Sequence, residues 1–139
     1  MLRHTEGDDD VDVALAIEAR GVHVGQKDLP AIVTRRLVGP NRWVGLSVSS
    51  LDQLETVPDC VDYLGVGPVF STATKPDAAL PIGLSGLAQI AQSTALPIVA
   101  IGGIDAWNVS RVIASGATGV AVVSAICGSP DVRAATMEL

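Results

Sequence analysis

Residues 97–124 read PIVAIGGIDAWNVSRVIASGATGVAVVS. Pro97–Ile101 is a short apolar run rich in β-branched residues, Gly102-Gly103 interrupts it, Ala106–Ser115 has helical spacing, and Gly119–Ser124 is a second apolar run. Short apolar runs bounded by turn residues are the mark of buried strands, so the stretch spells strand, helix, strand. The unit recurs upstream. Val22–Gly25, Trp43–Val48 and Tyr63–Val69 are further strand runs, and Val11 to Ala19, Leu51 to Val57 and Ser85 to Ser93 have helical spacing. Alternation of this kind gives an α/β protein whose parallel sheet is buried on both faces under right-handed crossovers. Barrel and open sheet both satisfy it.

Composition agrees with a single domain. The chain has 139 residues, 48% of them hydrophobic, with one Phe, one Tyr and two Trp, so Val, Ile, Leu and Ala must build the core. That is the composition of buried parallel strands. A formal charge of −6 argues against a nucleic-acid or membrane-surface binder, which neutralises phosphates with clustered Lys and Arg. Cys60 and Cys127 have no metal-ligand spacing and are expected to be buried or half-buried thiols. No apolar run approaches the ~18 residues of a membrane span and Met1 to His4 leads into acids, so a cytoplasmic location is expected.

The polar residues fall just past the strands: Gln26 and Asp28, then Ser47 and Ser49, then Thr72, Thr74 and Lys75, then Gly102-Gly103, then Ser124. All are expected at the carboxyl ends of the strands, where α/β proteins carry their sites. The loop Ser71 to Asp77 is long and polar, as binding loops are. Gly102-Gly103 and the Val123-Ser124-Ala125 turn suit a phosphate, because glycine lets backbone N–H groups approach an anion; a plain tight turn would use the same glycines. Lys75 with Thr72 and Thr74 offers a cation and two hydroxyls to an anion, or is a solvated loop. Asp8, Asp9 and Asp10 precede a helix and can cap it, as Asp28 can at Leu29-Pro30; two such carboxylates could also share a magnesium ion. His23, between Val22 and Val24, is expected to be a core or barrel-lining histidine rather than a catalyst.

Taken in order, GVHVGQKD (21–28), VGLS (44–47), YLGVGPVFSTATK (63–75), VAIGGI (99–104) and GVAVVSAI (119–126) resemble the successive signatures of the thiamine-phosphate synthases. GVGPVF followed by T-x-T-K is the most specific piece. The resemblance implies a TIM (β/α)₈-barrel fold, present as about five strands, the last of the eight that a closed barrel has. It also implies a transferase that joins hydroxymethylpyrimidine diphosphate to a thiazole phosphate (carboxythiazole phosphate), releasing pyrophosphate and forming thiamine phosphate, with magnesium as cofactor. Carried over by position, Asp9 and Asp28 match the magnesium ligands, and Lys75 and Ser47 match contacts to the pyrimidine diphosphate, the catalytic positions. Thr72, Ala73, Thr74, Gly103, Val123 and Ser124 match the thiazole-phosphate pocket, and Asp8 stands in the substrate site where the family usually has Asn.

Ser49 stands where the family often has His, and the family's Gln-Leu-Arg-x-Lys stretch has no counterpart. Residues 1–7 do not resemble the strand expected there. By this comparison the chain is an N-terminally truncated, single partial barrel domain whose open sheet edges would drive self-association. A thiazole tautomerase, an isomerase on the same fold, shares the glycine pair but generally lacks the T-x-T-K loop. A non-catalytic phosphate-binding module is the remaining alternative.

Overall fold

The computed structural model describes residues 9–72 and 79–139, and of residues 9 and 10 the backbone alone. Helices and strands alternate: α1 (Asp9–Ala16), β1 (Gly21–Val24), α2 (Ala31–Val38), β2 (Trp43–Val48), α3 (Leu51–Leu54), β3 (Tyr63–Val66), α4 (Gly83–Gln92), β4 (Ile98–Ile101), α5 (Val109–Ala114), β5 (Gly119–Ala121), α6 (Ser124–Cys127) and α7 (Val132–Glu138). The strands form one sheet in the order β1-β2-β3-β4-β5, each pair parallel. Register carries straight across: His23 lies beside Gly45, Gly45 beside Tyr63, and Ser47 beside Gly65.

Side chains alternate between the faces of a strand. The even-numbered row, Val22, Val24, Val44, Leu46, Val48, Leu64, Val66, Ile98 and Ala100, is buried and forms one cluster with Val11, Ala31, Val38, Leu87, Ile90 and Val112 of the helices. On the odd-numbered row the glycines Gly21, Gly45 and Gly65 are buried, whereas His23, Ser47, Tyr63, Val99 and Ile101 are half-buried or exposed. Helices therefore cover one face, not both as the alternation had suggested. A strand order that never reverses explains it, since crossovers of one hand then all return on the same side.

Element ends differ from the apolar runs for local reasons. β3 stops at Val66 rather than Val69 because Pro68 has no N–H to give to a ladder. β5 stops at Ala121, and Ser124 begins α6 instead of ending a strand. α1 ends before Ala19 because Glu18 turns left-handed (φ 53°), with Ala19 N–H donating to Ala14 O at 2.8 Å and Glu18 N–H to Leu15 O at 3.2 Å. This is a Schellman closure. α5 starts only at Val109, because the Asp105 carboxylate ties up the N–H groups of Trp107 (2.9 Å) and Asn108 (3.1 Å) in a preceding turn. Cys60 is half-buried as expected, whereas Cys127 is exposed, since the short α6 packs on α7 rather than into the core. Among the described residues no helix is long and apolar enough to cross a membrane.

At the amino ends of the strands an arginine clamp joins three loops. Arg35 of α2 donates to the carbonyls of Gly39 (2.9 Å), Arg42 and Cys60 (3.0 and 3.2 Å) and pairs with Asp62. Asp62 also accepts from Val44 N–H at 2.6 Å. Arg42 adds bonds to Ala19 O (3.1 Å) and Val38 O (3.0 Å).

Candidate functional site

Of the residues singled out in the sequence, the opposite, carboxyl-end rim carries Asp28, Ser47, Gly103 and Ser124 among the described residues. Asp28 closes the β1 loop: its Oδ2 accepts from Gly25 N–H at 2.7 Å, so the carboxylate faces back over the strand end. It does not cap α2, whose N-cap is Pro30. Gln26, in the same loop, donates from Nε2 to Ser47 O at 2.7 Å and ties the end of β1 to β2. Ser47 is on the odd-numbered row, and its Oγ lies 2.9 Å from His23 Nε2. The other ring nitrogen of His23, Nδ1, lies 3.1 Å from the Tyr63 hydroxyl. His23, expected as a core or barrel-lining histidine, is half-buried on the odd-numbered row and links side chains of β2 and β3.

Glycines make room for this cluster. A Cβ on Gly45 would run into Cζ of Tyr63 and Nδ1 of His23, and one on Gly65 would come within 2.6 Å of His23 Cε1. Tyr63 titrates above its ordinary value, first because it is buried and second because the Asp62 charge opposes a phenolate. Its hydroxyl keeps its proton well past neutrality.

The second half of the rim is built by the β3 and β4 loops. Gly102 and Gly103 both have positive φ (98° and 63°), a conformation that disfavours any side chain. They also pack too closely for one: a Cβ on Gly102 would stand 2.6 Å from Pro68 Cβ, and one on Gly103 would stand 2.7 Å from both Phe70 Cβ and Ser71 O. Gly102 O accepts from Phe70 N–H at 3.0 Å and Gly103 O from Asn108 Nδ2 at 2.9 Å. Among the described residues, neither glycine N–H has a hydrogen-bond partner. Thr72 follows directly on Ser71 and is half-buried. Val123, half exposed, and Ser124 lie at the start of α6, beyond β5 and therefore beside the glycine turn.

Asp8, Ala73, Thr74 and Lys75 lie outside the described residues, as does the side chain of Asp9, whose backbone opens α1. Among the described residues no group of three His, Cys, Asp or Glu is placed to hold a metal ion. Two participants escaped the sequence reading. Tyr63 is the only tyrosine of the chain and sits at a strand start, yet nothing local links it to His23, which lies 40 positions away. Asn108, which also accepts from Asp105 N–H at 3.1 Å, fixes the glycine turn from the next loop.

Residues 8–126 match a family model described as thiamine monophosphate synthase. A thiamine-phosphate synthase of Laribacter hongkongensis is 57% identical over 131 residues, and one of Chloroflexus aurantiacus is 55% identical over 132; each match covers 94% of this chain. The chain spans 62% and 61% of those relatives, about three-fifths of their length. A solved structure described as thiamine phosphate pyrophosphorylase from Pyrococcus furiosus superposes with a TM-score of 0.84 at 45% identity, covering 95% of this chain and 62% of that one. A 3-hexulose-6-phosphate synthase shares the fold at 19% identity, with a TM-score of 0.64. With residues 8–126 matching that family model and relatives more than 50% identical over 94% of its length, the chain belongs to the thiamine monophosphate synthase family.

Proposed function

We propose that this rim is the substrate site of a thiamine-phosphate synthase, where hydroxymethylpyrimidine diphosphate and thiazole phosphate are joined and pyrophosphate leaves. The observation that carries the reading is the glycine turn. Two consecutive left-handed glycines, packed against Ser71 and with both N–H groups unpartnered among the described residues, make a concave donor pair suited to a phosphate. Thr72, Ala73, Thr74, Gly103, Val123 and Ser124 then form the thiazole-phosphate pocket, and Ser47 faces the pyrimidine from the β2 end.

In this reaction the bond between the pyrimidine methylene carbon and the diphosphate oxygen breaks. The electron pair goes to pyrophosphate, and the thiazole nitrogen then bonds to the carbon. The chain's task is to hold both partners in line, exclude water and stabilise charge on the departing group. Lys75 and Asp8 belong to the diphosphate side. Asp28 fits a hard-cation ligand, since a backbone N–H orients its carboxylate at a strand end. With Asp9 as the second carboxylate, the remaining ligands would come from the diphosphate and water, the arrangement magnesium favours. Bound there, magnesium would supply charge neutralisation to the diphosphate.

The unreversed order of five parallel strands, with helices over one face, supports a single partial (β/α)₈-barrel domain. β1 and β5 are the edges of the sheet among the described residues, which supports self-association, tested by the mass in solution. The activity is tested by mixing the chain, and the chain extended with the N-terminal part of a relative, with both substrates and magnesium. Thiamine phosphate is expected from the extended form. No product from either form, together with no binding of thiazole phosphate, would refute the reading.

A further inference from the structure

Ser47 belongs to the rim, but a serine hydroxyl rotates and can present either its proton or its lone pairs. Its neighbours decide which. His23 Nε2 stands 2.9 Å from Ser47 Oγ, and His23 Nδ1 stands 3.1 Å from the Tyr63 hydroxyl, with the two rings 5.5 Å apart and tilted by 40°. All three side chains are on the same row of the sheet, Ser47 beside Gly65 and His23 beside Gly45, and both glycines lack the Cβ that would push the rings away.

A neutral imidazole has one N–H and one lone pair, and the partner of one nitrogen fixes the role of the other. A phenol is the better donor and the poorer acceptor of the two hydroxyls, because its oxygen lone pair is delocalised into the ring. Burial and the Asp62 charge keep the Tyr63 proton in place. The lone pair of His23 therefore belongs at Nδ1, facing Tyr63, and its N–H at Nε2, facing Ser47. Meanwhile Gln26 Nε2 grips the Ser47 carbonyl at 2.7 Å and holds the backbone from the β1 loop.

We propose that Tyr63 and His23 are positioning residues, forming a one-way hydrogen-bond relay (Tyr63 O–H to His23 Nδ1, His23 Nε2–H to Ser47 Oγ) that occupies the Ser47 lone pair and turns its proton outward. Ser47 is then a fixed donor, which selects a ligand acceptor atom such as a ring nitrogen or a diphosphate oxygen over a donor group. The identity of the acceptor rests on the function proposed above; the direction of the relay does not.

Nitrogen-15 NMR of histidine-labelled chain, with the chain's other histidine removed by His4→Gln, reads the tautomer of His23 directly. The neutral Nε2–H form is expected at neutral pH, and Tyr63→Phe is expected to erode that preference. An Nδ1–H form, a doubly protonated ring, or a tautomer unmoved by Tyr63→Phe would overturn the relay. In the turnover assay of the extended chain, His23→Leu is expected to lower kcat about tenfold, the loss of one oriented hydrogen bond. His23→Gln, which can return an N–H near the Nε2 position, is expected to recover most of it. Equal losses for Leu and Gln would reduce His23 to a space-filler and overturn the role. Absence of turnover in every form would count against the proposed reaction, leaving the tautomer measurement to decide the relay.

Discussion

Replacing Arg35 by alanine tests what holds the amino ends of the strands together. The guanidinium serves the carbonyls of Gly39, Arg42 and Cys60 and the carboxylate of Asp62, thereby joining the C-terminus of α2 to the segments entering β2 and β3. A net hydrogen bond is worth roughly 0.5–1.5 kcal/mol, and the three carbonyls regain some water when the side chain goes, so together they contribute about 2 kcal/mol. The side chains of Arg35 and Asp62 are 18% and 33% exposed, so solvent screens their pairing. We take it as about 1 kcal/mol, the upper end for surface ion pairs. Asp62 keeps its bond from Val44 N–H and is not left bare. The total, about 3 kcal/mol, is a large part of the roughly 5–15 kcal/mol that stabilises a typical domain. Urea unfolding should show a lower midpoint at unchanged slope. Arg35→Lys should recover less than half, because an ammonium cannot span the same fork of acceptors. In a double-mutant cycle, Arg35→Ala with Asp62→Asn should show about 1 kcal/mol of coupling. A loss below about 1 kcal/mol for Arg35→Ala, or full recovery by lysine, would refute the clamp.

Gly45→Ala should destabilise by about 1–3 kcal/mol, as overpacking does, because the new methyl meets the rings of Tyr63 and His23; urea unfolding measures it. Gly103→Ala should weaken binding of thiazole phosphate severalfold by calorimetry, since the position combines a φ of 63° with close contacts to Phe70 and Ser71. Tyr63 titrates above its ordinary value of 10.0 in the folded chain, so its contribution to stability is complete below about pH 10 and is lost as the pH rises through the folded value. Stability followed by circular dichroism should therefore fall above pH 10, with a shallower slope in Tyr63→Phe. Asp28→Asn should raise the magnesium concentration needed for half-maximal turnover of the extended chain by tenfold or more, while leaving stability within about 1 kcal/mol, since the amide oxygen can still accept from Gly25.

Much of the architecture is written in local pattern. Trp43–Val48 is a strand to the residue because β-branched composition and the hydrogen-bond ladder stop together there. At the ends of β3 and β5 they part: Val69 and Val122 continue the apolar pattern after Pro68 and the approach to α6 have ended the ladder. Gly103 and Asp28 stand out as candidates because each follows a strand closely, although a tight turn and a helix cap use the same residue types. The Tyr63–His23–Ser47 chain is not, since it exists only through lateral register across β1, β2 and β3. Arg35 is hidden for the same reason: on α2 it reads as a solvated charge, and its acceptors at Cys60 and Asp62 come from a loop 25 to 27 positions away. The expectation that helices cover both faces fails for the same kind of reason, since local alternation does not fix the strand order.

The two ends of the sheet divide opposing requirements. At the amino ends donors and acceptors are matched: Arg35, Arg42 and Asp62 satisfy backbone groups of the loops that enter β1, β2 and β3. At the carboxyl ends the chain turns through left-handed glycines whose N–H groups are unpartnered among the described residues. Donors without protein partners lower stability unless water or a ligand satisfies them, so an anion bound at these N–H groups would stabilise this end. Placing the clamp across the sheet from that rim lets stability and binding vary independently, because sites that share no partners act additively. Substitutions at Arg35 should therefore lower the unfolding free energy without changing the affinity of the folded chain for thiazole phosphate, and substitutions at Gly103 should change affinity out of proportion to stability. Loss of phosphate affinity in Arg35→Ala while the protein remains folded would mean that the two ends are mechanically coupled through the strands.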